Sequence, residues 1–171
     1  TLNVDNMTLN GAQIIGAGES INSGSSNLSL RSTLTIENGG LLTSDNGSVT
    51  INSGLALNNG EFRQGGGILN LIGGGSVETS GSLDVSNSEL KLGSSLSITG
   101  TLVVNSGTSW SGLGGTVDLS SGTLESSGGT LSLDRFSTGS NTSFKLSGNT
   151  EISSSDNLTF GTLDLGGNKL T

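Results

Sequence analysis

The sequence predicts an all-β fold, a three-sided parallel β-helix of about eight coils with roughly 20–21 residues in each coil. Three observations support this prediction. Short strands of alternating apolar and polar residues recur along the whole chain, they fall into three evenly spaced registers, and Gly, Asn and Ser fill the positions between them. Stacked coils are the arrangement in which such a repeat buries a continuous core. We expect residues 1–171 to form one β-helix domain.

The strands have the apolar–polar–apolar pattern of a β-strand with one buried face. Leu28-Ser29-Leu30 and Val49-Thr50-Ile51 are typical of them, and Leu158-Thr159-Phe160 is predicted to be another. No window has the i, i+3, i+4, i+7 spacing of an amphipathic helix, and the chain contains 30 Gly residues, which disfavour helices.

The apolar positions form three registers, in which successive members lie 19–22 residues apart. The first register is Met7, Leu28, Val49, Leu69, Leu90, Trp110, Leu131 and Ile152. The second register is Ile14, Leu34, Leu55, Val77, Leu96, Val117, Phe136 and Leu158. The third register is Ile21, Leu41, Phe62, Leu83, Leu102, Leu124, Phe144 and Leu163. Three strands per coil, each followed by a polar corner, predict a triangular coil with one register on each face.

The corners contain residues that adopt positive φ at low cost, as in Asn38-Gly39 and Asn58-Asn59-Gly60. The triplets Gly65–Gly67 and Gly73–Gly75 resemble linkers, but they fall on corners in register. We therefore interpret them as corners, and no domain boundary is predicted.

The composition fits a solenoid better than a compact globule or a disordered chain. Apolar residues make up 30% of the sequence, below the usual share for a globule, and charged residues only 12%. A disordered chain usually combines high charge or high Pro content with a lack of pattern. This chain has no Pro, as long strand ladders require.

The composition also argues against several classes of function. With no Cys and no His, the chain lacks disulfides, thiolate metal sites and the commonest general base. Its net charge of −8 repels nucleic acids and anionic membranes. No apolar run is long enough for insertion into a membrane. Thr1 does not open a signal peptide, and because the chain does not begin with Met we expect a processed chain or a segment of a longer protein.

With its Gly-Thr-Leu strand starts and Asn/Ser-Gly corners, the chain resembles surface β-helix repeats of secreted bacterial proteins. These are the passenger domains of autotransporters and adhesins of the filamentous-haemagglutinin type. The resemblance implies a right-handed β-helix, export to the cell surface and adhesive or scaffold roles. The handedness also follows from the crossover rule for parallel strands. The chain differs from a complete passenger because it has no evident catalytic insertion.

Some β-helix proteins act on polysaccharides, so paired carboxylates were considered. The outward positions of the third register are Arg63, Asp84, Val103, Glu125, Lys145 and Asp164. Asp84 and Glu125 would lie two coils apart, at about 10 Å, a separation found in inverting glycosidases. Charges of mixed sign on a solvated sheet are the favoured interpretation, because they also keep the rod soluble. Trp110 is interpreted as a core residue in preference to an exposed sugar-stacking residue.

Two other functions of repetitive β-solenoids were considered and are not favoured. The Gly-Gly-x-Gly-x-Asp calcium repeat is absent from the sequence. The outward residues of the second register do not form the Thr ladder expected for ice binding; they are Thr35, Ala56, Glu78, Ser97, Asp118, Ser137 and Thr159. No catalytic residue, metal site or cofactor is predicted.

Two function hypotheses follow. The first is an extracellular adhesin or scaffold without enzymatic activity, whose partners are glycans or cell-surface proteins. The second is a filament subunit that polymerises by end-to-end stacking, since the ends of a β-helix carry unpaired backbone groups. No capping helix is predicted at either terminus, next to the terminal apolar residues Leu2 and Leu170. A polysaccharide-acting enzyme is the third alternative.

Overall fold

A computed structural model describes residues 1–112 and 114–171, and these form parallel β-sheets with no helix among them. The chain winds in about eight coils, and each coil but the last contributes one strand to each of three faces. The prediction of an all-β, three-sided parallel β-helix is therefore confirmed. We name the faces after the registers that form them.

The third face is a continuous nine-stranded sheet. Its strands are β1 (Leu2–Asn3), β4 (Ser20–Asn22), β7 (Leu41–Ser44), β10 (Glu61–Gln64), β13 (Ser82–Asp84), β16 (Thr101–Val104), β19 (Thr123–Ser126), β22 (Ser143–Leu146) and β24 (Thr162–Asp164). The second face is a seven-stranded sheet of β3 (Gln13–Ile15), β6 (Thr33–Glu37), β9 (Gly54–Asn58), β12 (Gly75–Val77), β15 (Leu96–Ile98), β18 (Val117–Leu119) and β21 (Phe136–Thr138).

The first face is divided into two sheets. Six strands form the larger one: β2 (Met7–Leu9), β5 (Leu28–Leu30), β8 (Ser48–Ile51), β11 (Ile68–Leu71), β14 (Glu89–Leu92) and β17 (Ser109–Gly112). The smaller sheet pairs β20 (Gly129–Ser132) with β23 (Thr150–Ser153).

The core is a column of aliphatic and phenylalanine side chains inside the coils. Leu69, Phe62 and Leu34 are completely buried, and each lies in a ladder with the equivalent residues of the coils before and after it. Burial of each large apolar side chain contributes about 1.5–3 kcal/mol, and this contribution stabilises the stack of coils. The outward residues of the same strands are mostly polar, as predicted from the alternation; examples are Asn70, Arg63 and Thr35.

Four register assignments from the sequence are wrong. Ile15, not Ile14, points inward, because Ile15 pairs with Ile36 and Ile14 is 65% exposed. Leu42 occupies the ladder position predicted for Leu41. In each pair of adjacent apolar residues, the pattern alone does not decide which one faces the core.

Gly75 pairs with Leu55 and Leu96, so Val77 lies two residues further along its ladder than predicted. Val77 is still buried, because a shift of two residues keeps a side chain on the same face. Residues 158–160, predicted as a strand, have no strand partner in the structure.

The corners follow the predicted turn chemistry. Asn38, Asn59 and Asn87 all have positive φ, between 54° and 60°. Gly60 has a packing role, since a Cβ atom there would overlap the backbone carbonyl of Ile36 in the preceding coil. Gly65–Gly67 and Gly73–Gly74 lie at corners between paired strands, and Gly75 begins β12, so neither triplet is a linker.

Candidate functional site

The first face divides at one point, between β17 and β20, which have no ladder between them in the described residues. The other two faces continue across the same coils, where β18 pairs with β21 and β19 pairs with β22. A cavity of about 480 Å³ lies at this division. We call it the cleft.

Unequal chain lengths explain the division. Fifteen residues separate Leu102 on the third face from Val117 on the second, and twelve separate Leu124 from Phe136 in the next coil. The two segments are fixed to each other at both ends by those ladders, so their first-face portions differ by three residues and cannot stay in register. The preceding coils all have a spacing of thirteen residues, from Ile21 to Leu34, Leu42 to Leu55, Phe62 to Gly75 and Leu83 to Leu96.

The cleft is closed at both of its ends by backbone hydrogen bonds between the two coils. At one end the Ser106 N–H donates to the Gly128 carbonyl at 3.1 Å, and at the other the Val117 N–H donates to the Arg135 carbonyl at 3.0 Å. The opening is therefore a short pocket in the side of the rod, with a limited length along the strands.

Trp110 lies at the edge of this pocket. Its strand position pairs with Leu90, which is a core position, and its side chain packs against the core as predicted. Its indole contacts the Phe136 ring edge to face, with centroids 4.8 Å apart and planes at 83°. Because no strand covers β17 on this side, the indole is only partly buried and lines the cleft.

Asp134 is the acidic group in the cleft lining. Its Oδ1 accepts hydrogen bonds from the Ser155 N–H and the Ser155 Oγ, both at 2.8 Å, and its Oδ2 accepts one from the Ser132 Oγ at 3.2 Å. These bonds favour the charged form and lower the pKa of Asp134 below its usual value, with the Ser155 N–H as the largest contribution. The carboxylate is therefore held ionised and in a fixed orientation.

Arg135 is the basic group, and its backbone is strained. Its φ is 70°, the only positive value for a described residue other than Gly or Asn. The Arg135 N–H donates to Asp156 Oδ2 at 2.9 Å, which stabilises this corner. Its exposed guanidinium forms no ion pair with any described residue. Strain of this kind costs about 1–3 kcal/mol and is found most often at functional sites.

Carboxylates also lie on the strands that border the cleft. The Ser111 Oγ donates to Glu89 Oε1 at 2.5 Å, which lowers the pKa of Glu89. The Thr130 Oγ1 donates to Glu151 Oε2 at 3.2 Å. The surroundings of the cleft are therefore rich in hydroxyls and in negative charge.

The carboxylate pair considered from the sequence lies elsewhere. Asp84 and Glu125 are both on the outward side of the third face and are separated by Val103 in the ladder, as predicted. Lys145 Nζ lies 3.6 Å from Glu125 Oε2, so this carboxylate has a partner of opposite charge. This arrangement agrees with a solvated face of mixed charge. The structure does not bring either residue to the cleft.

The three registers, followed along the rod, do not predict the cleft, although the sequence carries a signal for it. The register positions of Leu102, Val117, Leu124 and Phe136 have an altered spacing that is visible only across the coil, from the third register to the second. Asp134 and Arg135 carry no motif, and only the shortened corner before Phe136 distinguishes them.

The cleft combines one partly exposed aromatic ring, an oriented carboxylate, a free guanidinium and several hydroxyls. Such a lining suits the binding of a small polar molecule that has an apolar side.

Among the described residues, no group of three or more acidic side chains is placed to hold a metal ion. No helix in the described part of the chain is long and apolar enough to cross a membrane. No protein-family model, curated protein or solved structure matches the chain significantly.

Proposed function

We propose that this chain is an extracellular, non-enzymatic adhesin or scaffold segment that binds its ligand in the cleft. The observation that carries the proposal is the division of the first face at Trp110, which opens a pocket of about 480 Å³ in the side of an otherwise regular rod. The resemblance to secreted bacterial β-helix proteins, described above, is the reason for an extracellular location.

The regular surface of the rod supports this assignment. Its outward ladders carry short polar side chains, such as Ser29, Thr50 and Asn70 on the first face. A flat ladder of this kind offers water-exposed hydroxyls and amides but little concavity, and small ligands bind preferentially in concave sites. The cleft is therefore the part of this surface where a small ligand binds most favourably.

A capture experiment tests the proposal. The purified chain is applied to arrays of glycans and of extracellular-matrix proteins, and Trp110→Leu is the matched control, because Leu is the residue at the equivalent positions 90 and 131. We expect at least one class of ligand to retain the wild-type chain and to lose the variant. Absence of retention, or equal retention of the two chains, would contradict binding in the cleft.

A second candidate function, end-to-end assembly into filaments, is favoured by a separate observation. The edge strands β1 and β24 each pair with a single strand. Apolar side chains are exposed at both ends of the rod: Leu2 and Ile14 at one end, and Leu163 and Leu165 at the other. Such an edge is complementary to another coil, whether from the same chain or from a second copy.

Electron microscopy over a concentration series tests this second candidate. Stacked copies of an eight-coil rod would form fibres with a repeat of roughly 40 Å. Leu2→Lys places a charge on the edge strand and should prevent growth, while Thr50→Lys adds the same charge on an outward ladder and should have no effect. Single rods at every concentration, or fibres that persist in Leu2→Lys, would exclude stacking through this edge.

A further inference from the structure

We propose that the occupant of the cleft is one neutral hexopyranose ring, as a terminal sugar or as one unit of a glycan. This inference rests on the proposed function and adds the chemical class of the ligand. It is carried by the shape of the cleft, by the position of Trp110 and by the distribution of polar and charged groups around it.

The shape excludes the main competitor, an extended peptide that adds a strand between β17 and β20. A strand advances about 3.3 Å per residue and must leave the sheet at both ends. Both exits are closed, because the Ser106–Gly128 and Val117–Arg135 hydrogen bonds join the coils there. The volume of about 480 Å³ lies in the lower part of the usual range for small-molecule sites. A compact ring fits such a pocket better than a chain.

The lining matches the two sides of a pyranose. Trp110 offers an apolar aromatic surface to the C–H face of the ring, and Phe136, also in the lining, packs against the indole with ring centroids 4.8 Å apart. Asp134 offers carboxylate oxygens that accept hydrogen bonds from sugar hydroxyls, and Arg135 offers guanidinium donors. Ser132 already bonds to Asp134, so the carboxylate does not need to reorient when a ligand enters.

The charge distribution favours a neutral sugar over an acidic one. Asp134 lies in the lining, Asp156 bonds to the backbone of Arg135, and Glu89 and Glu151 bond to hydroxyls on the neighbouring strands. Against these four carboxylates stand two cations, the Arg135 guanidinium and Lys91, whose Nζ lies 3.5 Å from Glu89 Oε2, in a chain whose net charge is −8. A uronate would therefore meet net repulsion.

Trp110 is the only tryptophan in the chain, so its fluorescence reports directly on the cleft. The full chain is titrated with the methyl glycosides of glucose, galactose and mannose, with methyl glucuronide and with a Val-Thr-Val-Thr peptide. We expect at least one neutral hexoside to shift the Trp110 emission with a Kd on the order of 1 mM, as is usual for a single small polar ligand. We expect methyl glucuronide to bind at least fivefold more weakly than that hexoside.

Two variants make the test specific. Asp134→Asn should weaken hexoside binding at least fivefold, because it removes one hydrogen-bond acceptor. It should also reduce the difference in affinity between the hexoside and the glucuronide, because it removes one charge that repels the glucuronide. Arg31→Gln, outside the cleft lining, changes the net charge by one unit and should leave the hexoside affinity unchanged. Circular dichroism establishes that both variants keep the β-sheet signal of the parent chain.

The saccharide assignment would be overturned if no hexoside affected Trp110, if the glucuronide bound as tightly, or if only the peptide bound. These results are distinguishable from failure of the proposed function. Retention on the matrix-protein array that is lost in Trp110→Leu would support binding in the cleft and reject a sugar as its ligand. Loss of binding to every array would reject the function itself.

Discussion

The coils from Ile21 to Leu96 and the two coils that follow have the same kinds of residues but different geometry. In the first region every coil has thirteen residues from the ladder position on the third face to the ladder position on the second face, and all three ladders are continuous. In the second region the spacing changes to fifteen and then to twelve, and the first face separates. Regular stacking therefore depends more on equal chain length between the ladders than on the identity of the core residues.

The separation is confined to one face, and the second and third faces stay paired across the same two coils. On those faces Leu102, Leu124 and Leu119 remain completely buried. Moving them apart would cost about 1.5–3 kcal/mol for each exposed side chain, whereas the first face loses only a short ladder of hydrogen bonds. The mismatch is therefore absorbed where it is least costly.

The largest expected difference between the two regions is in the cost of removing a phenyl ring. Phe62→Ala, in a regular coil, should lower the free energy of unfolding by about 3–5 kcal/mol, since the surroundings have no space to adjust. Phe136→Ala should cost about 2 kcal/mol, because its ring already borders a cavity. Urea denaturation followed by circular dichroism measures both values. An equal or larger loss of stability in Phe136→Ala would show that the surroundings of Phe136 are packed at least as tightly as those of Phe62.

Bringing the two chain lengths closer together should close the cleft. Deletion of Gly107 and Gly114, both exposed, returns the first segment to the thirteen residues of the regular coils, one more than the twelve of the next segment. We expect β17 to pair with β20, with a gain of about 2 kcal/mol from the new hydrogen bonds and a decrease in acrylamide quenching of Trp110.

The matched control for this deletion removes Gly65 and Gly73, two exposed glycines from a regular coil. It shortens a segment that is already in register, so it should lower stability and leave Trp110 quenching unchanged. If the two deletions had the same effect, unequal chain length would not be the cause of the division.

A smaller effect is expected at the strained corner. Arg135→Gly removes the side chain that disfavours a φ of 70° and should raise the free energy of unfolding by about 1 kcal/mol. Asn87→Gly has a φ of 60° and serves as the control, with little change expected because Asn tolerates this conformation. The midpoints of thermal unfolding provide the measurement. Equal shifts in the two variants would indicate that Arg135 is not strained.

The smallest effect concerns acid stability. The folded state lowers the pKa of Asp134, so its ionised form contributes stability above the pKa of the unfolded chain, and this contribution is lost as the pH falls through the folded value. Asp134→Asn should therefore show a smaller loss of thermal stability than the parent chain when the pH is lowered below about 4. Ser155→Ala should give an intermediate slope, because it removes one of the two Ser155 hydrogen bonds. Parallel pH profiles for the three chains would contradict this role.

Most of the fold could be predicted from the sequence, because a period-two pattern repeated in three registers admits few other structures. The predictions for Ile14 and Leu41 are wrong because in each case two apolar residues are adjacent and either can face the core. The prediction for Leu158 is wrong because a local pattern does not reveal whether a neighbouring strand exists to pair with it. The cleft depends on a length difference between two distant segments, and Asp134 and Arg135 enter it through that difference alone.

The divided face also has a mechanical consequence. When the rod is pulled along its axis, three ladders share the force in the regular coils, but at Trp110 only the ladders of the second and third faces and the hydrogen bonds at the ends of the cleft join the two coils. The load on each of these hydrogen bonds is greater there, so this boundary should yield before the boundaries between regular coils under tension. The same change in chain length that opens a pocket thus places a mechanically weak point of the rod beside it.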